Sequence, residues 1–267
     1  MMKIAAIQMV SVSHPDINIQ TAKRLLERAK LAGAELAVLP EYWSIMGLRD
    51  TDKLAFAEEA GLGVLQDFLS QMARELQMTI VGGTIPLKSD DSHKIYNACL
   101  VFDRSGSQIA RYDKIHLFGF TNGEESYQES NTIQEGNDIV SFDSMIGKVG
   151  LGICYDLRFP ELFRNMGACN LLILPAAFTY TTGQAHWEIL LRARAIENQC
   201  YVLASAQGGT HDSGRRTWGH SMLIDPWGKV LNCLEEGEGV VVTDLDLETI
   251  QKIRGNLPAL KHRRFTC

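Results

Sequence analysis

Short apolar runs alternate along this chain with stretches in which apolar residues recur at helical spacing, and this alternation constrains the fold most. Residues 3–9 are strand-like, apolar residues between Ala22 and Ala29 recur every three or four positions, and residues 36–39 are again apolar. Gly33 is placed to end the intervening helix. A strand, a helix and a second strand in this order are what a parallel crossover unit requires. The pattern predicts an α/β fold.

The alternation continues into the C-terminal half, and no linker or low-complexity segment interrupts it. Residues 95–113 contain two strand-like runs separated by a turn-forming segment, which predicts a hairpin. A long helix is predicted over 185–199, and further strands are predicted over 149–153, 171–174, 202–206, 221–224 and 239–244. The 267 residues are expected to form a single domain, 1–267, in which two sheets pack face to face beneath helices. Periodicity leaves the strand order open.

Composition narrows the range of partners. Hydrophobic residues make up 45% of the chain and charged residues 22%, with a formal net charge of -6 and no run of lysines or arginines. This balance argues against a nucleic-acid or anionic-membrane partner and favours small-molecule ligands. No apolar stretch reaches the roughly 18 residues needed to span a bilayer. Residues 1–10 are typical of a first strand, not of an export signal.

The cysteines and histidines follow no metal-binding or disulfide pattern. The seven histidines are dispersed, and no Cys-x-x-Cys pair occurs among the six cysteines, Cys99, Cys154, Cys169, Cys200, Cys233 and Cys267. Neither a disulfide framework nor metal-ligand spacing is present in the sequence. We therefore expect a protein without a metal, located in the reducing cytoplasm.

One cysteine lies where a reaction could occur. The apolar run 149–153 leads directly into Cys154 and then into a charged, helix-like segment. If Cys154 occupies the first turn of a helix, unpaired backbone N–H groups favour its thiolate and any developing oxyanion. A free cysteine is more often a small buried hydrophobe. A nucleophilic Cys154 therefore requires partners elsewhere in the chain.

Two other strand ends carry suitable partners. Glu41 follows an apolar strand that stops at Pro40, so its carboxylate is expected at the carboxyl edge of a sheet, where open α/β sheets bind ligands. Lys114 lies at another strand end and can donate a hydrogen bond to an oxyanion. Each has a plainer interpretation, because loop glutamates and lysines are usually solvated. Their weight comes from their combination with Cys154.

The combination resembles the nitrilase superfamily of carbon-nitrogen hydrolases. Three segments carry the resemblance: LPE, which ends at Glu41; YDKIH, which contains Lys114; and GICYDLRFPE, which contains Cys154. Their order and context match the Glu-Lys-Cys triad of that family, and the likeness extends over essentially the whole chain. Cys154 is thereby predicted to be the nucleophile.

The resemblance implies a fold and a division of roles. The fold is a four-layer α-β-β-α sandwich, which usually forms dimers or higher homo-oligomers through helices on its outer face. Glu41 would be the general base, and Cys154 would form a thioester acyl-enzyme. Lys114 would stabilise the tetrahedral intermediate together with the backbone N–H of Tyr155. No cofactor is implied.

A second glutamate is common near the lysine in this family. The segment YQES, residues 127–130, predicts Glu129 for that position. Glu124 and Glu125 lie close by in the sequence and are the alternatives.

The substrate follows from finer similarities. The segment GQAHWE and the helix after it are similar to an amidase branch that includes deaminated glutathione amidase and omega-amidase. The later segments AQGG, GHSMLIDPWG and LPALKHRR favour the former, which would release 2-oxoglutarate and cysteinylglycine. Such a substrate is an amide bearing carboxylates, so the pocket should present guanidinium groups. Arg158 and Arg215 are the candidates, although surface pairing is the plainer explanation of each.

Other functions stay open at this point. An omega-amidase acting on 2-oxoglutaramate or 2-oxosuccinamate is the nearest alternative, and an N-carbamoyl amine hydrolase is a more distant one. A non-catalytic ligand-binding protein with the same fold is a different class of alternative, which the intact Glu41, Lys114 and Cys154 disfavour.

Two features of the long predicted helix require an interpretation. His186 lies at its start and is interpreted as a packing or capping residue, because the triad leaves no catalytic role unfilled. Arg192, Arg194 and Glu197 are expected to form an ion-pair network on the helix face, at a possible dimer contact.

Overall fold

Two β-sheets face each other, and α-helices cover the outer face of each. The computed structural model describes residues 1–123 and 126–265 of the chain. Over these residues the layers follow the order α-β-β-α that the sequence predicted.

The first sheet has seven strands and contains the predicted crossover unit. Its strands are β1 (Met2–Gln8), β2 (Leu36–Val38), β3 (Thr79–Val81), β4 (Ile85–Lys88), β5 (Ile95–Phe102), β6 (Gln108–Asp113) and β17 (Gly239–Leu245). The spatial order is β17-β1-β2-β3-β5-β4, with β6 also paired to β5. β1, β2 and β3 run parallel, as the strand-helix-strand pattern requires, and β5 and β6 form the predicted hairpin.

The second sheet has six strands, among which β10, β11 and β12 run parallel. Its strands are β9 (Ser141–Ser144), β10 (Gly147–Leu151), β11 (Leu171–Ala176), β12 (Tyr201–Ala206), β15 (Ser221–Ile224) and β16 (Val230–Leu234). Their spatial order is β16-β15-β12-β11-β10-β9. Two small hairpins lie outside both sheets, β7 (Gly119–Thr121) with β8 (Ser126–Gln128) and β13 (Gly208–Thr210) with β14 (Arg216–Trp218).

Five α-helices complete the layers among the described residues. They are α1 (Pro15–Leu31), α2 (Val64–Leu76), α3 (Pro160–Asn165), α4 (Tyr180–Asn198) and α5 (Leu247–Asn256). α1 and α2 pack on the first sheet, and α3, α4 and α5 bury side chains in the cluster that includes the second sheet. α1 ends at Leu31, and Gly33 follows with φ +90°, in the left-handed region that glycine adopts without steric cost.

The core has two parts because the first sheet is buried on both faces. In β1, Ile4 and Ala6 belong to the cluster between the two sheets, whereas Ala5 and Ile7 belong to the cluster beneath α1 and α2. Alternate residues of a strand point to opposite faces, so a strand covered on both sides is apolar throughout. The continuous apolar runs of the sequence reflect this double burial.

Some predicted boundaries near the site were wrong by two to five residues. The helix predicted over 185–199 begins earlier, at Tyr180, where the hydroxyl oxygen of Thr179 accepts a hydrogen bond from the N–H of Thr182. The strand predicted over 149–153 ends at Leu151. A Cβ on Gly152 would lie 3.0 Å from the ring of Phe163, so glycine permits this close approach where the chain leaves the sheet.

No helix within residues 1–123 and 126–265 is both long enough and apolar enough to cross a membrane.

Candidate active site

Three strand ends bring Glu41, Lys114 and Cys154 into one buried site. Glu41 lies just beyond β2, Lys114 follows directly after β6, and Cys154 lies just beyond β10. β2 and β6 belong to the first sheet and β10 to the second, so the site spans both sheets. None of the three residues is more than 7% exposed.

The ammonium group of Lys114 lies between two carboxylates. Its Nζ is 2.8 Å from Oε1 of Glu41, 2.9 Å from Oε1 of Glu129 and 2.8 Å from Oε2 of Glu129. Burial alone would lower the pKa of Lys114, but the charges of Glu129 and Glu41 outweigh it and raise that pKa above its ordinary value. Lys114 is therefore a fixed positive charge at neutral pH. The alternatives Glu124 and Glu125 lie outside the described residues.

Glu129 has every acceptor position of its carboxylate filled. A carboxylate offers about four such positions, two on each oxygen. Oε1 accepts from Lys114 and from the hydroxyl of Tyr42 (2.8 Å), and Oε2 accepts from Lys114 and from the N–H of Phe118 (2.7 Å). Burial raises the pKa of Glu129, but Lys114 and these hydrogen bonds lower it further than burial raises it. Glu129 is thus an ionised group with no position at which to take a proton.

Glu41 differs from Glu129 in keeping one acceptor position open. Its Oε1 accepts from Lys114 and from Nδ2 of Asn97, both at 2.8 Å. Its Oε2 accepts only from the N–H of Ala177 (2.9 Å) among the residues described. The second lone pair of Oε2 is available to a proton. Gln207 fixes the backbone of Glu41 by donating to its carbonyl oxygen (3.0 Å).

Cys154 lies at a strained turn that leaves the second sheet. It has φ +49°, in the left-handed region that a non-glycine residue adopts only at a cost of order 1–3 kcal/mol. It is the first residue of a short 3-10 helix, Cys154–Arg158, and α3 begins only at Pro160. The carboxylate of Asp156 holds the turn by accepting from the N–H of Ile153 (2.8 Å).

The expectation that this position favours the thiolate was wrong for the resting site. Burial raises the pKa of Cys154 well above its ordinary value, and the carboxylate of Glu41 raises it further. Lys114 opposes this shift without reversing it. The turn is one short 3-10 helix, too brief for a large helix dipole. Cys154 is therefore a neutral thiol until a base takes its proton.

Asp156 joins the segment that carries Lys114 to the turn that carries Cys154. Besides its bond to the turn, its carboxylate accepts from the hydroxyl of Tyr112 (2.7 Å), the N–H of His116 (3.0 Å) and Nδ1 of His116 (2.7 Å). Asp156 is fully buried, so these bonds are shielded from competing water. One carboxylate thus fixes the spacing of the lysine and the cysteine.

Arg194 supports the same turn from α4, which corrects its predicted place in an exposed network. It is only 4% exposed, and its Nε and Nη2 both donate to the carbonyl oxygen of Leu157, at 3.0 and 2.7 Å. The predicted pair with Glu197 is present (2.9 Å). Arg192 lies at the surface, where it forms an i,i+4 pair with Glu188 (3.3 Å) and donates to the carbonyl oxygen of Gly228. Arg194 therefore belongs to the scaffold of the site.

Two openings meet at Phe118 beside these residues. The nucleophile recess holds about 210 Å³ of empty space and is lined by Phe118, Cys154, Tyr155, Arg158, Ala177 and Phe178, among others. The cationic cleft holds about 520 Å³ and is lined by Tyr42, Arg49, Lys53, Phe118, Glu129 and Arg215, among others.

The two predicted arginines lie in different openings. Arg158 lies in the nucleophile recess, where its guanidinium is 5.7 Å from the ring of Tyr155 and contacts Nδ1 of the exposed His186 (3.2 Å). Arg215 lies in the cationic cleft with its guanidinium 5.0 Å from the ring of Tyr127. Neither arginine forms an ion pair with a carboxylate in the described part of the chain.

The backbone N–H of Tyr155 is a free donor next to Cys154. Within residues 1–123 and 126–265 it has no hydrogen-bond acceptor. An unpaired N–H in a buried turn is available to a developing oxyanion. The site thus contains a neutral thiol, a carboxylate with one open position, a fixed cation and a free backbone donor, which are the components of acyl transfer.

Sequence reasoning missed three residues that shape this site. Asn97 is a lone amide in the apolar strand β5, and that isolation was a usable signal. Tyr42 directly follows Glu41, and Asp156 lies within the cysteine motif, but only the folded chain brings them to Glu129 and to the lysine segment. No group of three or more His, Cys, Asp or Glu side chains is placed to hold a metal ion in the described ranges.

Comparison with known proteins gives one consistent result. The chain is 40% identical to a deaminated glutathione amidase of Synechocystis over 98% of this chain and 97% of that protein. It is 38% identical to the omega-amidase NIT2 of Mus musculus over 98% of this chain and 95% of that protein. The crystal structure of Nit3 from Saccharomyces cerevisiae, a member of the nitrilase superfamily, matches with a TM-score of 0.88 and 34% identity, covering 99% of this chain and 97% of that one.

The match to Nit3 confirms the nitrilase-type sandwich predicted from the sequence. The family model described as carbon-nitrogen hydrolase matches residues 3–255, which is most of the chain. The site geometry and the comparisons agree, and the chain belongs to the carbon-nitrogen hydrolase family of the nitrilase superfamily.

Proposed function

We propose that this protein is an amidase that cleaves a carbon-nitrogen bond through a thioester on Cys154. The observation that carries the proposal is the difference between the two glutamates on Lys114. Glu129 is saturated with hydrogen bonds, whereas Oε2 of Glu41 keeps one acceptor position open. Only Glu41 can therefore exchange protons with the neutral thiol of Cys154.

In the first half of the reaction, Cys154 attacks the amide carbonyl carbon while Glu41 takes the thiol proton. The carbonyl oxygen becomes an oxyanion, which Lys114 and the N–H of Tyr155 stabilise. The carbon-nitrogen bond then breaks, and Glu41 returns its proton to the leaving amine. The acyl group remains on sulfur as a thioester.

In the second half, water replaces the amine. Glu41 takes a proton from the water as its oxygen attacks the thioester carbonyl, and the charge of Lys114 and the N–H of Tyr155 stabilise the second oxyanion. The carbon-sulfur bond breaks, the acid is released, and the proton returns to Cys154. The cycle balances with protein side chains and water alone, which agrees with the expectation that no cofactor or metal is needed. That expectation stays a prediction.

For the substrate we propose deaminated glutathione, which is cleaved to 2-oxoglutarate and cysteinylglycine. The relative from Synechocystis bears this activity in its name, and the likeness extends over nearly the whole of both chains. The substrate carries carboxylates, and Arg158 and Arg215 lie in the two openings beside Cys154 without carboxylate partners among the described residues. Arginine recognises carboxylates in bidentate geometry.

Omega-amidase activity is the second candidate. The mouse omega-amidase is 38% identical to this chain, close to the 40% of the Synechocystis protein, so identity alone does not separate the two substrates. An omega-amide such as 2-oxoglutaramate supplies the same acyl group and releases ammonia.

The test is side-by-side turnover of deaminated glutathione and 2-oxoglutaramate, with kcat/KM measured for each. We expect the larger value for deaminated glutathione, and a large preference for 2-oxoglutaramate would assign the protein to the second candidate. Turnover of neither compound would overturn the proposed function. The Cys154→Ala variant is the control, since it retains the pocket and lacks the nucleophile.

We also propose a cytoplasmic location. The mechanism requires Cys154 as a free thiol, and the five cysteines within the described residues are all unpaired. A reducing compartment maintains that state. A thiol count on protein purified anaerobically from its own cells checks this, because disulfide-bonded cysteines would indicate an oxidising compartment.

A further inference from the structure

The cationic cleft contains a positive charge that sequence reasoning did not select. Lys53 lies in the short 3-10 helix Asp52–Phe56 and lines the cleft together with Arg215. Its Nζ is 5.7 Å from the ring centroid of Tyr42, the residue next to the general base. Lys53 is half-buried, so its ammonium group is not simply a solvated surface charge.

Lys53 and Arg215 have no carboxylate partner across the described segments. The Nε of Arg215 is in addition buried without a hydrogen-bond acceptor. Two acids line the cleft, Asp50 and Glu129, and neither forms an ion pair with Lys53 or Arg215 among the described residues. The acceptor positions of Glu129 are filled by Lys114 and by other donors. A buried donor without an acceptor is costly, and an anion in the cleft removes that cost.

Burial and two neighbouring cations act together on Lys53. Burial lowers the pKa of Lys53, and the positive charges of Arg215 and Lys114 lower it further, while Asp50 and Glu129 act in the opposite direction. The net shift is downward, because burial and the two neighbouring cations outweigh the negative charges of Asp50 and Glu129. A bound carboxylate would restore the ordinary balance.

The two ends of the substrate are assigned to the two openings. The acyl group is bonded to Cys154 in the thioester, so it occupies the nucleophile recess, where Arg158 is the available cation. The cationic cleft meets this recess at Phe118 and is the space that remains for the leaving amine. A carboxylate on the leaving amine therefore meets Lys53 and Arg215.

We propose that Lys53 and Arg215 form a receptor for the carboxylate of the leaving group, which makes Lys53 a specificity-determining residue. The inference rests on the proposed function and deepens it, because it states why a dipeptide-releasing amide would be preferred to an amide that releases ammonia. Cysteinylglycine ends in a carboxylate, whereas ammonia leaves the cleft empty.

The test compares three substrates that share the 2-oxoglutaryl group: deaminated glutathione, its C-terminal amide and 2-oxoglutaramate. For Lys53→Gln we expect kcat/KM on deaminated glutathione to fall about 10- to 100-fold, the range of a lost charge-assisted hydrogen bond. On the other two substrates we expect less than about a threefold change, because they carry no charge at this position. Lys23→Gln is the matched control, since Lys23 is exposed on α1.

An equal loss on all three substrates, or no loss on any, would overturn the receptor. Binding supplies a readout that does not need turnover: cysteinylglycine and cysteinylglycinamide are titrated into Cys154→Ala by calorimetry. The receptor predicts tighter binding of the carboxylate form and the loss of that difference in Cys154→Ala/Lys53→Gln. If the wild-type protein cleaves neither amide, the proposed function fails, and the same titration still decides whether Lys53 binds the carboxylate.

Discussion

Glu41 and Glu129 both contact Lys114, yet they can do different chemistry because their remaining hydrogen bonds differ. Glu129 receives donors at each acceptor position, whereas Glu41 retains one open position on Oε2. Both residues are glutamates identified from sequence motifs, so the sequence alone does not distinguish their roles. The number of hydrogen bonds that each carboxylate accepts distinguishes Glu41, the base, from Glu129, which holds Lys114 in place.

The change Glu41→Gln tests whether Glu41 transfers protons during turnover or serves only to ionise the thiol of Cys154. We expect kcat to fall by about 10³-fold, within the range for a lost general base. Because the charge of Glu41 raises the pKa of Cys154, the same change should lower that pKa and speed alkylation of Cys154 by iodoacetamide. Peptide mass spectrometry measures the labelling, with the exposed Cys233 as the internal control. If Glu41→Gln slowed both the alkylation of Cys154 and turnover, the assignment of Glu41 as the general base would be contradicted.

The change Glu129→Gln acts through Lys114 instead. Glu129 raises the pKa of Lys114, so removing its charge lowers that pKa towards neutrality. A lysine with a lowered pKa loses its proton at a less alkaline pH, and with the proton it loses the positive charge that stabilises the oxyanion. We expect the alkaline limb of the kcat profile to move to lower pH, with kcat at neutral pH reduced about 10- to 100-fold. An unchanged alkaline limb would show that Glu129 does not set the charge of Lys114.

At the scale of elements, the sequence predicts each strand end but not how the ends are joined. The runs before Glu41 and Cys154 are buried throughout, and such continuous apolar runs can be predicted from the order of residues in the sequence. The strand before Lys114, β6, is mostly exposed or half-buried, so its end was predicted from a weaker pattern. Asp156 and Arg194 could not be assigned in this way. Their partners are the hydroxyl of Tyr112 and the carbonyl oxygen of Leu157, which are far away in the chain and reach them only through the fold.

Polar contacts also explain why the start of α4 and the end of β10 were predicted wrongly. α4 begins at Tyr180 because a threonine cap precedes it, and the apolar period used to predict it begins later. The strand before Cys154 is shortened by the turn that Asp156 holds. Both errors arise from polar contacts at the ends of elements, which hydrophobic periodicity does not report.

The change Asp156→Asn tests whether this carboxylate sets the spacing of Lys114 and Cys154. An amide cannot accept all four hydrogen bonds, so we expect a loss of about 1–3 kcal/mol in the free energy of unfolding. We expect a larger relative loss of kcat than of stability, about 10- to 100-fold, since misplacing catalytic groups is costly.

Tyr112→Phe is the control for Asp156→Asn, because it removes one of the four bonds and leaves those to His116 and to the turn. It should cost about 0.5–1.5 kcal/mol and little kcat. Urea denaturation and initial rates measure both quantities. Equal effects of the two changes on kcat would argue against a positioning role for Asp156.

At the scale of the whole molecule, α4 exposes an apolar surface on the outer layer. Ile189 is 70% exposed and Ile196 is 51% exposed, and Trp227, in the turn that Arg192 contacts through Gly228, is 65% exposed. Ile189 and Ile196 are seven residues apart on one face of α4, and the turn of Trp227 and Gly228 lies against Ile196, since a Cβ on Gly228 would be 2.6 Å from its Cδ1. Grouped exposed apolar side chains mark association surfaces. We propose that this patch, Ile189, Ile196 and Trp227, is the contact of a homodimer, in which the same surface of both subunits meets.

We predict that Ile189→Lys converts a dimer into a monomer. At a symmetric contact the substitution buries two lysine charges, one from each subunit. Leu31→Lys is the matched control, since Leu31 is 88% exposed at the end of α1, away from the patch. Light scattering coupled to size-exclusion chromatography gives the mass of each. A wild-type monomer, or a dimer unaffected by Ile189→Lys, would refute the proposed contact.

In this mechanism Cys154 carries the acyl group as a thioester, and that intermediate can be trapped. Wild-type protein is mixed with deaminated glutathione, quenched in acid during turnover, digested and analysed by mass spectrometry. We predict that the peptide containing Cys154 gains the mass of one 2-oxoglutaryl group and that hydroxylamine removes it, as expected of a thioester. Sustained turnover with Cys154 unmodified at every quench time, or undiminished turnover by Cys154→Ala, would contradict the account.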